Sequence, residues 1–346
     1  MKAATIHAPH DLRVGEAALP DRAPPGPGEV AVRVRAGGIC GSDLHYYHHG
    51  GFGTVRIREP MILGHEIAGE VAAVGAGVTG LRVGDRVAVD PSRACGVCAF
   101  CLAGVPRQCR DMRFLGSAMR FPHVQGGFRE WLVCDAAQAV PLPADTPLEH
   151  AAFAEPLAVC LHAAMQAGPL LGRRVLVTGA GPIGALTIMA ARHAGAAEIV
   201  ATDLAAAPLA AALRAGADRA LNMRDDPAAL DPYAAERGQL DVAFEASGSP
   251  GGLAAALTAV RPGGTIVQIG VGGDAPLPLG VLVTKELTLR GTFRFDTEFA
   301  LAVGLIARRA IDVAPLLTEI VPLDDAVRAF ELASDRSRSM KVQLAL

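Results

Sequence analysis

Arg174-Val-Leu-Val-Thr178-Gly179-Ala-Gly181-Pro182-Ile183-Gly184 runs straight on into Ala-Leu-Thr-Ile-Met-Ala-Ala191. A short apolar segment, a glycine turn and an Ala-rich stretch of helical character over 183–194 make a strand, turn and helix. The first glycine permits the tight turn, the second lets a pyrophosphate approach the backbone, and the third lets helix and strand pack closely. Free N–H groups at the helix start attract the phosphates. With 39 glycines in the chain, the Gly-x-Gly-x-x-Gly spacing arises by chance in about one such sequence in two. A second copy, Gly75, Gly77 and Gly80, passes from one strand to another through Leu81-Arg-Val-Gly-Asp85 and reads as a turn. Context, not spacing, selects Gly179, Gly181, Pro182, Ile183 and Gly184 as the cofactor-binding loop.

The next strand, Glu198-Ile-Val-Ala-Thr-Asp203, ends in a carboxylate placed to bind the adenosine ribose hydroxyls. A 2'-phosphate about 4 Å from Asp203 would be repelled by on the order of 4 kcal/mol per charge pair at intermediate screening. No Lys or Arg occurs in Leu204–Pro208 to offset this, so NAD is expected over NADP. Strand-like runs at 240–245, 265–270 and 287–292 alternate with Ala-rich helical stretches, as a doubly wound parallel sheet of the Rossmann type requires.

The chain has 346 residues, enough for two domains. It is 51% hydrophobic and 19% charged, with a net charge of -3. That composition suits a globular protein and disfavours a nucleic-acid surface, which needs a basic excess. No apolar run followed by a cleavage site opens the chain, and the longest uncharged run, 175–191, is too short and glycine-rich for a membrane span. A cytoplasmic protein is expected, its seven cysteines thiols or metal ligands and not disulfides.

The first 150 residues read differently. Pro20–Gly28 is a turn entering a strand, Glu29–Arg35, where Val30, Val32 and Val34 alternate with Ala31, Arg33 and Arg35. Ile67–Val74 and Arg86–Asp90 continue the pattern, giving an irregular all-β domain whose loops carry the chemistry. Cys95, Cys98, Cys101 and Cys109 form a C-x2-C-x2-C-x7-C array that can close a tetrahedron around one zinc with no open position, a structural site. Cys134 and Cys160 have no partner at ligand spacing and read as core.

A catalytic zinc needs three protein ligands and one open position. Cys40 and His65 suit two of these, with Glu66 or Glu155 as the third. Taken alone, a lone cysteine is more often a small buried hydrophobe; the four-cysteine array and the dinucleotide loop give these residues their weight. Asp43 suits a hydrogen bond to the far nitrogen of His65, or a local turn.

Two zinc sites beside an NAD fold resemble the zinc-containing medium-chain alcohol dehydrogenases. Cys40-Gly-Ser-Asp-Leu-His-Tyr-Tyr47, Gly64-His-Glu66 and Ala154-Glu-Pro-Leu-Ala-Val159 are similar to the polyol branch. Asp111–Val124, Gly291–Phe295 and Lys341-Val-Gln-Leu344 are similar to members acting on a sugar acid. The resemblance implies a GroES-like, mainly β barrel catalytic domain over 1–147 and 291–346, an NAD-binding Rossmann domain over 148–290, and a homotetramer or homodimer. It further implies two zinc ions per chain and hydride transfer from the C5 hydroxyl of L-idonate to NAD, giving 5-keto-D-gluconate.

On matching positions, Cys40, His65 and Glu66 would bind the catalytic zinc, with Glu155 a fourth ligand or a partner of the bound water. Ser42 would take the hydroxyl proton and His45 pass it to solvent, while His48 and His49 read as solvated loop residues. Tyr46, Arg113, Phe114 and Arg294 are substrate candidates, since a sugar acid needs a cation for its carboxylate; Arg56, Arg58 and Arg120 also qualify. The rival readings are a polyol dehydrogenase acting on sorbitol, xylitol or iditol, and a non-catalytic dinucleotide-binding protein. A zinc-dependent nucleic-acid binder is disfavoured by the charge balance.

Overall fold

The computed structural model describes residues 1–17 and 24–346. Residues 20–23 of the expected proline turn lie outside the described residues; its end does not, and Gly28 takes the left-handed φ of 78° that the turn needs.

In chain order, the first sheet opens with β1 (Glu29–Gly38), whose valines are fully buried. A helix, α1 (Gly41–His49), follows, then β2 (Glu66–Val74), β3 (Arg86–Val89), β4 (Trp131–Asp135) and β5 (Ala139–Leu142). The helix corrects the expectation that this stretch is all loop. Cys40 stands at its N-cap, the Asp43 carboxylate returns to the Cys40 N–H, and Gly50 closes it at φ 67°. His48 and His49 therefore sit in a helical last turn, not in a loop.

Next comes α2 (Ala154–Ala167), apolar nearly all round and buried accordingly. The second sheet comprises β6 (Arg174–Thr178), β7 (Glu198–Asp203), β8 (Arg219–Asn222), β9 (Leu240–Glu245), β10 (Val260–Gln268) and β11 (Thr288–Gly291). Helix α3 (Pro182–His193) links β6 to β7. The chain then forms α4 (Glu298–Ala307) and returns to the first sheet as β12 (Leu317–Pro322) and β13 (Lys341–Ala345).

The second sheet is wholly parallel in the order β8-β7-β6-β9-β10-β11. Its order reverses between β6 and β9, and ligands bind at the carboxyl ends of strands at such a switch point. The first sheet has the order β5-β3-β2-β1-β13-β12, with β4 also paired to β1. It is antiparallel except for β12 and β13. One core spans both units. Helix α2 packs Leu157, Ala158 and Leu161 into a cluster that takes in Ala36, Ala68 and Ala88 of the first sheet and Val175 and Val177 of the second. Among the described residues no helix is long and apolar enough to cross a membrane.

The glycines of the dinucleotide loop have separate steric reasons. A Cβ on Gly184 would lie 1.9 Å from the Gly179 carbonyl oxygen, so helix and loop touch backbone to backbone. Above Gly181 a Cβ would meet nothing within 4 Å, the open space a phosphate needs. Gly184→Ala should force α3 off β6, lowering stability by about 1–3 kcal/mol and abolishing NADH binding. Thermal unfolding and NADH fluorescence titration check this; unchanged binding would contradict the steric account.

Candidate active site

The four-cysteine lobe draws all its sulfurs from residues 95–109. The Cys98–Cys101 sulfurs lie 3.5 Å apart, and Cys95–Cys101 and Cys98–Cys109 each 4.0 Å. A metal with sulfur bonds of about 2.3 Å in a tetrahedron has edges of about 3.8 Å, so the lobe has the dimensions of a closed zinc site. Backbone N–H groups of Cys101 and Arg110 aim at Cys98 and bring its thiol down to about 6. The N–H groups of Cys95 and Asp111 donate to the Cys109 sulfur at 3.2 and 3.3 Å. Thiolates are the species a metal binds. Cys134 and Cys160 are buried core residues elsewhere.

At the mouth of the first sheet, donor atoms of Cys40, His65 and Glu66 all lie within 4.8 Å of one another. Asp43 draws the two segments together: one oxygen accepts the Cys40 N–H at 3.0 Å, the other the Gly64 N–H at 3.1 Å. This corrects the expected hydrogen bond to His65. The Asp43 carboxylate is spent on backbone and stands 3.8 Å from His65 Nδ1, which is buried without a hydrogen-bond partner. Burial alone would lower the His65 pKa, yet the negative field of Asp43, Cys40 and Glu155 raises it well above its usual value. That field favours any cation, a zinc ion included.

Glu66 is held by a residue that sequence reasoning passed over. Lys341 Nζ donates to both its oxygens at 2.7 and 2.8 Å and to the Ile39 carbonyl at 3.1 Å, with both partners almost fully buried. Glu155, in the first turn of α2, does not join the three-donor group. Burial pushes its carboxyl up to about 7, with Glu66 adding to the rise and His65 opposing it. Ser42 and His45 lie one turn apart on α1. Partial burial, then His49, lowers the His45 pKa below its usual value.

The arginine candidates separate by position. Arg113 is exposed on a two-residue strand, and alternation sends its side chain away from the face where Phe114 meets the His65 ring at 5.3 Å. Arg56 donates to carbonyls in its own turn, Arg120 pairs with Asp111, and Arg58 lies over Phe121. Arg294 alone of the five reaches the site. Its guanidinium lies 4.6 Å over Phe114 and 4.8 Å over Phe293, and it interacts electrostatically with Glu155 and Tyr46. Tyr46 is buried, its hydroxyl accepting the Ala118 N–H at 3.0 Å.

At the switch point, Asp203 accepts from the N–H groups of Ala180 at 2.8 Å and Leu204 at 2.7 Å, which fixes the carboxylate beside the glycine loop. Glu245, not singled out from the sequence, is fully buried at the end of β9. It accepts from Ser247 N at 2.9 Å, Gly248 N at 3.0 Å and the Gln268 amide. A charge closing an apolar strand, Leu-Asp-Val-Ala-Phe-Glu245, was its only sequence signal.

Residues 26–144 match the alcohol dehydrogenase GroES-like domain, and residues 182–308 match the zinc-binding dehydrogenase domain. The chain is 45% identical to L-idonate 5-dehydrogenase (NAD(P)(+)) of Escherichia coli K12 over 90% of each chain. It is 36% identical to sorbitol dehydrogenase of Gallus gallus over 99% of this chain and 95% of that one. The crystal structure of the Escherichia coli L-idonate 5-dehydrogenase superposes with a TM-score of 0.95 at 42% identity, covering 100% of this chain and 98% of that one.

Lys341→Met should cost the metal-free protein about 3–5 kcal/mol, because it leaves the Glu66 carboxylate buried and unpaired. Urea unfolding of chelator-treated protein measures this. A loss well below that range would mean that Glu66 is solvated in a way the buried pair does not allow.

Proposed function

Because the chain belongs to the zinc-binding medium-chain alcohol dehydrogenase family, we propose that it oxidises the C5 hydroxyl of L-idonate to 5-keto-D-gluconate, with NAD as hydride acceptor. Residues 1–147 and 291–346 form the catalytic unit in this reading, and 148–290 bind NAD. The observation that carries the substrate is Arg294: a half-buried guanidinium near Glu155 that pairs with no carboxylate among the described residues. Aromatic faces and the Met119 sulfur, 3.1 Å away, are its neighbours. A guanidinium with no carboxylate partner is well suited to a substrate carboxylate. Phe114 bridges Arg294 and His65, and the four bonds from C1 to C5 of an extended sugar acid span roughly 5 Å.

In this assignment Cys40, His65 and Glu66 would hold the catalytic zinc, with the buried Glu155 carboxyl interacting with His65 and Glu66 beside it. When bound, the zinc supplies Lewis acidity that lets the substrate hydroxyl release its proton near neutral pH. Ser42 Oγ would accept that proton and His45 would carry it to water, and NAD, when bound, would take up the C5 hydride. Arg294 and Phe114 orient the acid end, and Tyr46 closes the pocket wall. Asp203, fixed next to the glycine loop, favours NAD over NADP. The protein is assigned to the cytoplasm.

A second copy of the chain is proposed to pair along β11, whose four residues are all exposed at the sheet edge. Leu289 is 37%, Leu279 64% and Val283 70% exposed along this edge and the helix before it. An unpaired apolar edge of this kind favours strand addition. Light scattering should give a dimer or tetramer, and Leu289→Lys should shift the mass to the monomer; a monomeric wild type removes the assignment.

Initial rates on L-idonate and sorbitol, each with NAD and NADP, test the substrate. L-idonate with NAD should have the highest kcat/KM. Arg294→Gln should raise KM for L-idonate about ten- to hundredfold, as loss of a hydrogen bond to a charged group does, and KM for sorbitol far less. Equal effects on both substrates would move the protein to the polyol reading suggested by its sorbitol dehydrogenase relative.

A further inference from the structure

We propose that Arg107 and Asp296 are positioning residues for Arg294, so that the four-cysteine lobe governs recognition of the acid end of the substrate. The inference rests on the assignment of Arg294 to that end. Among the described residues no carboxylate lies within ion-pair distance of the guanidinium: stacking on two aromatic faces, a thioether acceptor and the longer-range attraction of Glu155 restrain it only weakly. Its place must come from its backbone. Arg294 has φ 55°, a left-handed conformation that a non-glycine residue keeps only where its surroundings impose it.

Both ends of the constraint are visible. Two residues on, Asp296 is gripped by Arg107, whose backbone N–H donates to Oδ1 at 3.0 Å and whose Nη1 donates to Oδ2 at 2.6 Å. The two side chains are 23% and 18% exposed, so solvent screens the pair only in part. Arg107 belongs to the 3-10 turn Pro106–Gln108, immediately before Cys109. The Asp296 N–H donates to Glu298 Oε2 at 2.7 Å, and Glu298 Oε1 meets His162 Nδ1 of α2 at 2.8 Å. Residues 294–298 are therefore strung between the lobe and the helix that presents Glu155.

A metal-closed lobe gives Arg107 a rigid base, and charge-assisted two-point bonding transmits that rigidity to the strained turn. The lobe is then more than a stabilising clip. Its position relative to the second sheet sets where the cation stands over Phe114.

The test compares Asp296→Asn, Arg107→Ala, Arg107→Lys, Arg294→Gln and the double variant Asp296→Asn/Arg294→Gln on L-idonate and sorbitol. Zinc content and Tm are measured on each. Asp296→Asn and Arg107→Ala should raise KM in the same substrate order as Arg294→Gln, by about tenfold for the more affected substrate, as a small misplacement of an orienting group does. Arg107→Lys should recover part of the loss, and the double variant should be no worse than Arg294→Gln alone. Asp296→Asn lies outside the lobe and decides the matter if Arg107→Ala sheds metal. Additive losses in the double variant, or uniform losses on both substrates with a lowered Tm, would overturn the proposal. If instead Arg294→Gln fails to discriminate the substrates, the sugar-acid reading falls, while the double variant still decides whether Asp296 acts through Arg294.

Discussion

The Lys341 ammonium on the Glu66 carboxylate, with 3% and 1% of the side chains exposed, is the contact on which the rest of the site depends. The cleft floor otherwise gathers carboxyl groups whose charged forms burial disfavours unless a cation stands beside them. Burial raises the carboxyl of Asp43, takes Asp90 to about 6 and takes Glu155 to about 7. An uncompensated buried charge costs several kcal/mol, and Lys341 pairs with Glu66 and with none of these three. The remainder is a standing preference for a cation between Cys40, His65 and Glu66. Zinc is thus matched to an electrostatic deficit as well as to three donor atoms.

Positioning follows the same economy of buried charge. Asp43 never touches the His65 ring, yet it holds the Cys40 and Gly64 N–H groups and so sets the spacing of the two metal-binding segments. Glu245 does the corresponding work in the second sheet, gathering the N–H groups of Ser247 and Gly248 and the Gln268 amide at the switch point. In each case a carboxylate is fully excluded from water and hydrogen-bonded, Asp43 by backbone and Glu245 by backbone and side chains, which is how a polar group is tolerated in a core.

The parts legible in the sequence are those whose cause is local. The strand–turn–helix at 174–194 and the closed array of Cys95, Cys98, Cys101 and Cys109 announce themselves through spacing within a few dozen residues. Alternation in β1 is local too. What sequence reading missed depends on distant pairing or on which side of a strand a group leaves. Lys341 reads as an ordinary basic residue near the end of the chain until β13 is laid against β1. Five arginines were indistinguishable until Phe114 fixed the face of its strand and left Arg113 on the other. The helix at 41–49 was hidden by three histidines and two tyrosines in nine residues, a composition with little helical periodicity; its caps, Cys40 with Asp43 and Gly50, were the readable signal.

Glu66 and Lys341 are 275 positions apart, and the whole parallel sheet lies between them. Contacts of such separation form slowly, and contiguous units fold first as a chain emerges. Along the chain the parallel sheet is therefore complete while the sheet carrying Cys40 and His65 still lacks β13 and the counter-charge it brings. Until then the Glu66 carboxylate has no reason to leave water.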